Sequence, residues 1–254
     1  MFRELLRRSI WAVLPFIVLI LVWIVANQGQ FVKEIFLPSI PSVGKSLFNL
    51  FSNEHYLDDV WVSIFRVMAA FVLSTILAIP LGLWAGFSNK FASLLEPFVG
   101  FIRYLPVPAF VPLCILWFGL GDLGKIAIIF MGTFFQLILM VADSARNVPK
   151  EYFEAAQTLG ASKGSLFLKV LWRASMPDII NASRTAVGWA WTYLVVAEIA
   201  GATTGIGFRI MEAQRYVQAA NIFAGIVVIG ILGVTTDLIF KGLYKFMFPW
   251  IESA

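Results

Sequence analysis

Six apolar stretches, each close to the length that crosses a lipid bilayer, constrain this chain more than any other feature: residues 10–26, 60–87, 98–118, 125–142, 186–202 and 222–240. About 20 apolar residues in a helix span the hydrocarbon core. No water satisfies backbone N–H and C=O groups there, so a chain that crosses repeatedly does so as helices, which pair those groups within each segment. Of the 254 residues, 60% are hydrophobic and 13% charged, whereas a soluble domain is roughly 25% charged. A water-soluble fold has nowhere to put so much apolar surface. The expected fold class is all-α integral membrane, with about six transmembrane helices in a single domain over residues 1–254.

The polar residues exclude several functions. Cys114 is the one cysteine, so no internal disulfide forms. It stands in an apolar run and reads as packing. His55 is the one histidine, in a polar stretch. Haem-binding membrane subunits need paired axial ligands, so haem is not expected, and no metal site is expected either. The basic residues are spread over loops and form no stripe, which argues against nucleic acid as a partner.

Residues 1–8 are basic and precede the first apolar run, as in a signal peptide. No small-x-small cleavage site follows, so the segment reads as a retained first helix. With the amino end inside, twelve Lys and Arg fall in inner segments and five in outer ones, with Arg66 and Arg103 in or beside spans. That bias predicts a multi-pass protein with both termini cytoplasmic.

Two apolar stretches are irregular. The second is long, with Arg66 near its start and Pro80 inside. Its first turns are expected at the interface or outside. The third holds Pro106, Pro108 and Pro112, which predicts a kinked or irregular early part. Such backbone is tolerated against protein or water, not lipid, so this helix is expected to line something.

Two nucleotide-site matches fail on context. Gly119-Leu-Gly121-Asp-Leu-Gly124 fits the dinucleotide fingerprint, yet it joins two membrane stretches and is no part of a βαβ unit. A tight turn with glycine at positive φ explains it. Gly44-Lys45-Ser46 matches the end of a phosphate-binding loop, but Ser39 stands where its first glycine belongs, and Pro38 and Pro41 spoil the strand and helix. Ser42 is expected to cap an amphipathic segment with Val43, Leu47, Leu50 and Phe51. If the work of this chain consumes ATP, another subunit binds it.

The longest inner segment, 143–184, reads as two short helices. Pro149 suits the first turn of one, since its missing N–H would be unpaired there. Tyr152, Phe153, Ala156 and Leu159 share an apolar face at helical spacing. Gly160 can supply the left-handed cap that ends this helix. Ser162 can cap the next, with Leu166, Phe167, Val170, Leu171 and Ala174 on its apolar face and Pro177 at its end. From periodicity alone, the pair either lies on the inner membrane surface or presents a face to a partner.

Glu154-Ala155-Ala156-Gln-Thr-Leu159-Gly160, continued by Ala161-Ser162 and extended to Met176-Pro177, resembles the EAA motif of the permease subunits of ABC importers. Other stretches are similar to the nitrate/sulfonate/taurine/bicarbonate branch of those permeases: Phe36-Leu-Pro-Ser-Ile-Pro-Ser42, Pro80-Leu-Gly82, Trp117-Phe-Gly-Leu-Gly121, and Glu198 with Gly205-Ile-Gly-Phe208. The resemblance implies a type I ABC importer permease fold in the bacterial inner membrane. It implies a homodimer whose loop helices, the coupling helices, sit in grooves of two copies of a cytoplasmic ATPase, with a periplasmic or lipid-anchored binding protein delivering a small anionic solute. This chain would then be no enzyme and hold no cofactor, ATP and Mg being bound by the partner ATPase. The ATPase-coupling residues would be Glu154, Ala155, Ala156, Leu159, Gly160, Ala161 and Ser162. The residues suit those roles: Ala155 and Ala156 leave a shallow surface, Glu154 offers a charge, and Gly160 permits a sharp turn.

Charges in hydrocarbon are costly, and Arg66, Asp143, Glu198 and Asp237 fall near predicted ends, within reach of water. The scarcity of midplane carboxylates weighs against a self-sufficient secondary transporter, the main alternative. A membrane anchor without a pathway is a second alternative, and an ABC permease for a vitamin precursor or aromatic acid a third. Candidates for lining a substrate pathway are Trp117, Gln136, Trp189, Trp191, Thr192, Tyr193 and Glu198. Trp and Tyr also suit the membrane interface. Glu198 is expected near the outer mouth, with Arg209 or Arg215 as its structural partner.

Overall fold

A computed structural model of the chain describes residues 2–29, 31–52 and 54–251, with side chains from Leu14 onward apart from Glu54. The ends of the domain read over 1–254, and the side chains of Arg3, Arg7 and Arg8, lie outside the described residues. In order, the helices are α1 (Phe2–Gln28), α2 (Ile40–Phe51), α3 (Glu54–Phe87), α4 (Asn89–Arg103), α5 (Val107–Phe118), α6 (Asp122–Arg146), α7 (Lys150–Thr158), α8 (Lys163–Ser165), a π-helical turn (Leu166–Leu171), α9 (Trp172–Ile199), α10 (Ile206–Arg215) and α11 (Ala219–Met247). No strand occurs among the described residues. Among the described residues three helices are long and apolar enough to cross a membrane, α3, α6 and α11, and α4 with α5 makes a fourth if that bent pair is one span. The first and fifth apolar stretches fall in α1 and α9, of 27 and 28 residues. The amino-terminal half of α9 carries Arg173, Asp178, Asn181 and Arg184, which interrupts its apolar character.

The chain forms two compact units, residues 58–208 with 228–254 and residues 1–57 with 209–227. In the larger, α6 is the central helix and packs against α9, α5 and α4. Its buried Leu137, Ile138 and Val141 share a core with Ala186, Ala190 and Leu194 of α9. Gly82 and Gly86, one turn apart on α3, let that helix approach α6. A Cβ at Gly82 would lie 2.6 Å from Val141 Cβ, and one at Gly86 would strike Ala145. Small residues at this spacing replace the hydrophobic drive that lipid removes. A buried hydroxyl pair, Ser74 Oγ to Thr133 Oγ1 at 2.8 Å, adds a polar tie between the same helices.

In the smaller unit, the Trp23 indole N–H donates to Pro38 O and Asn27 Nδ2 donates to Leu37 O, both at 2.9 Å, folding the segment before α2 back on α1.

One expectation about proline holds and two others need correction. The third apolar stretch is irregular where its prolines cluster: α4 and α5 meet at 96°. Pro106 and Pro108 remove two N–H donors at the start of α5, and the residue before a proline is pushed from the helical region, so the chain breaks over 104–106. Ser39, not Ser42, occupies the cap position of α2, because Pro41 fits the first turn of a helix and does not stop it. Pro177 lies inside α9 and ends nothing. The backbone is already rewound by the π turn before it, and such local adjustments let helices in lipid tolerate proline.

Candidate functional site

The loop between α6 and α9 folds as its local chemistry dictates. Pro149 occupies the position before α7. At the other end Gly160 has φ +78°, its N–H donates to Gln157 O at 2.9 Å, and the Ala161 N–H donates to Ala156 O at 3.0 Å. Those two bonds define the Schellman cap, which needs a left-handed residue where Gly160 stands. Ser162 then caps the next turn, its Oγ accepting from the Ser165 N–H at 3.4 Å.

No residue of α7 is buried. Glu154 and Ala155 are exposed, Phe153, Ala156 and Ala161 half-buried, and Ser162 exposed. The expected apolar face is split: Phe153 packs against the core of the unit, while Tyr152 stands out and Leu159 is 89% exposed. The π turn is anchored beneath, with Leu166 and Leu171 buried and the Phe167 ring edge-on to Phe87 at 5.4 Å. The loop is therefore a projecting element on a fixed base, with a leucine at its tip.

A second site lies in the same unit. Arg66 and Glu198, expected to reach water, are 2% and 1% exposed. Two opposite charges removed from solvent must satisfy each other and their remaining donors and acceptors, and here they do. Arg66 Nη1 donates to Glu198 Oε1 at 2.7 Å and to Thr204 O at 2.8 Å. Its Nη2 reaches Thr204 Oγ1 at 3.0 Å and its Nε reaches Asp122 Oδ1 at 2.8 Å. Ser63 Oγ also donates to Glu198 Oε1, at 2.8 Å. The first amides of α10 complete the knot: Gly205 N–H donates to Asp59, Ile206 N–H to Ser63 Oγ and Gly207 N–H to Glu198 Oε2, at 2.7, 2.9 and 2.7 Å. Gly205, at φ +111°, leaves no room for a Cβ, which would strike the Glu198 carboxylate. The partner of Glu198 is thus Arg66. One signal for it was in the sequence, since these are opposite charges in apolar surroundings; Asp59, Ser63, Asp122 and Thr204 carried none.

The family model for the binding-protein-dependent transport system inner membrane component matches residues 78–253. This chain belongs to that family. The putative aliphatic sulfonates transport permease protein SsuC of Bacillus subtilis is 31% identical over 93% of this chain and 86% of its own. The taurine transport system permease protein TauC of Escherichia coli is 29% identical over 92% and 86%. In structure, a chain of the MetNI methionine ABC transporter in an inward facing conformation superposes with TM-score 0.63 at 16% identity, covering 73% of this chain and 94% of that one. That likeness shows the fold of an ABC importer permease.

The pathway candidates of this permease do not share one environment. Trp117 is 62% exposed on α5. Thr192 is exposed, with its hydroxyl on Gly188 O at 3.4 Å. Gln136 and Trp189 are half-buried. Trp191 is buried and donates to Thr236 Oγ1 at 3.2 Å, and Tyr193 packs over Gly132. Trp191 and Tyr193 are thus used in helix packing, and Glu198 in the ionic knot. A charged group not foreseen as a cluster joins α9 to α11: Arg184 pairs with Asp237, which also holds Lys241 at 2.9 Å.

Proposed function

We propose that two copies of this permease form the translocation pathway of an ABC importer, driven through α7 by a cytoplasmic ATPase. The observation that carries the reading is the projection of α7: a capped helix with no buried residue and Leu159 almost fully exposed at its end. A large apolar side chain held in water on an ordered turn is suited to a pocket on another protein. Each copy engages one ATPase subunit, ATP and Mg bind there, and closure of the ATPase pair moves the two levers together. Both termini lie in the cytoplasm, as does α7, and a binding protein delivers solute from the other side. The solute is small and anionic; relatives named for aliphatic sulfonates and taurine, and the bicarbonate transport system permease protein CmpB of Synechococcus elongatus at 28% identity over 69% of this chain, support that class.

The test is co-purification and turnover. The complex is expected to retain stoichiometric ATPase, and Glu154→Trp with Gly160→Trp is expected to abolish substrate-stimulated hydrolysis while the chain stays in the membrane. Full activity of that double variant refutes the reading, as does uptake into vesicles driven by an ion gradient with no ATPase present.

A further inference from the structure

We propose that Arg103 and Tyr104 form an anion station in the transport pathway, taking the negatively charged group of the transported solute; this rests on the importer reading above. α5 has 12 residues, about 18 Å of rise, well short of the roughly 30 Å hydrocarbon core. Only with α4 does it reach the length of a span, and the two meet at 96°. With the bent pair taken as one span, the break at 104–106 falls within the depth that this span crosses. Non-helical backbone at that depth belongs against protein or a water-filled cavity, and broken helices of this kind mark solute sites in transporters.

Arg103 sits in the last turn of α4, at the break, and is exposed. Its guanidinium carbon lies 5.0 Å from the centroid of the Tyr104 ring, and Nη2 donates to Tyr104 Oη at 3.2 Å. Arg66, Arg146 and Arg184 each hold a carboxylate. Among the described residues Arg103 holds none, only an aromatic ring, which orients the fork and leaves its charge unneutralised. Tyr104 is itself 78% exposed. A guanidinium with free N–H donors beside a phenol is a donor set for a carboxylate, sulfonate or similar oxyanion. A permanent charge in this position is disfavoured facing lipid, and water in a pathway accommodates it.

The experiment uses the full permease with its ATPase in membranes. Tyr104→Cys is labelled with two methanethiosulfonate reagents of similar size, one anionic (sulfonatoethyl) and one cationic (trimethylammonioethyl). Cys114 is buried, so the unaltered chain is the control. The anionic reagent is expected to react faster, and Arg103→Gln in the same chain to lower the anionic-to-cationic rate ratio about tenfold. Arg103→Lys restores much of the ratio. Ethanesulfonate, as the probe anion, slows labelling when Arg103 is present and not in Arg103→Gln. Silence toward both reagents while ATP hydrolysis and the ATPase complex persist overturns the station and leaves the importer reading standing. A ratio that collapses in vesicles of phosphatidylcholine alone makes the site a lipid-headgroup site and also overturns it. Loss of the ATPase from the purified complex removes the importer reading, and the station with it.

Discussion

Arg66 is held by five acceptor contacts drawn from α6, α9 and the turn before α10, so its removal exposes every group it neutralises. Breaking a buried pair from one side costs about 3–5 kcal/mol because a charge is stranded. Arg66→Leu is therefore expected to lower stability by that order, read as a large drop in the thermal midpoint of the detergent-solubilised permease. Arg66→Leu with Glu198→Leu is expected to lose less than the two single changes summed, since neither charge is then stranded. Strict additivity would show that the pair is not coupled. At Gly160, Gly160→Val forces a β-branched residue into a left-handed position at about 1–2 kcal/mol. The expected readout is proteolytic nicking within 158–163 at an unchanged global midpoint. The two residues differ in how far sequence discloses them. The cap at Gly160 is set by neighbours within five positions, so it was legible. The pairing of Arg66 joins positions 132 apart, and no local pattern encodes such a distance.

Elements were legible where one local force decides them and illegible where two compete. α3, α6 and α11 follow from apolar length alone. The proline rule foresaw irregularity in the third stretch but not its angle, which depends on what α4 packs against: Val99 is buried and Glu96 pairs with Arg146 of α6. The same rule failed at Pro177, where the π turn had already changed the hydrogen-bond register. Close approach of α3 to α6 is the element-scale feature most open to test. Gly82→Leu or Gly86→Leu must push the helices apart against Val141 and Ala145. Overpacking of this kind costs about 1–3 kcal/mol. Each variant is expected to lower the thermal midpoint, whereas Gly100→Leu, where a side chain meets open space, leaves it unchanged. Equal effects at all three positions would mean that close contact is not what the glycines provide.

Across the larger unit, α9 joins the two sites, alongside α3, with Arg66 in the knot and Phe87 against the π turn, and α6, with Asp122 in the knot and its carboxyl end leading to α7. The amino end of α9 continues from the π turn beneath α7, and its carboxyl end holds Glu198 in the knot with Arg66. Twenty-eight residues make a rod about 42 Å long. A rod packed along α6 transmits displacement only if it does not bend, so on the importer reading proposed above a motion entering at α7 would reach the knot through α9 only while that helix stays stiff. Two glycines inserted after the exposed Asp178 would place a soft joint between the sites and turn the two parts of α9 by about 200° relative to each other. The ATPase is then expected to remain bound and to hydrolyse ATP near its usual rate. ATP-driven uptake is expected to fall about tenfold, the scale of a coupling element whose two states no longer communicate. A control with two alanines, which keeps the helix stiff but rotates it by two residues, distinguishes register from stiffness. Uptake retained by the alanine insertion and lost by the glycine insertion identifies rigidity as the carrier. Equal loss in both means that the rotational register of α9 against α6 matters instead, and equal retention means that the displacement travels by another helix.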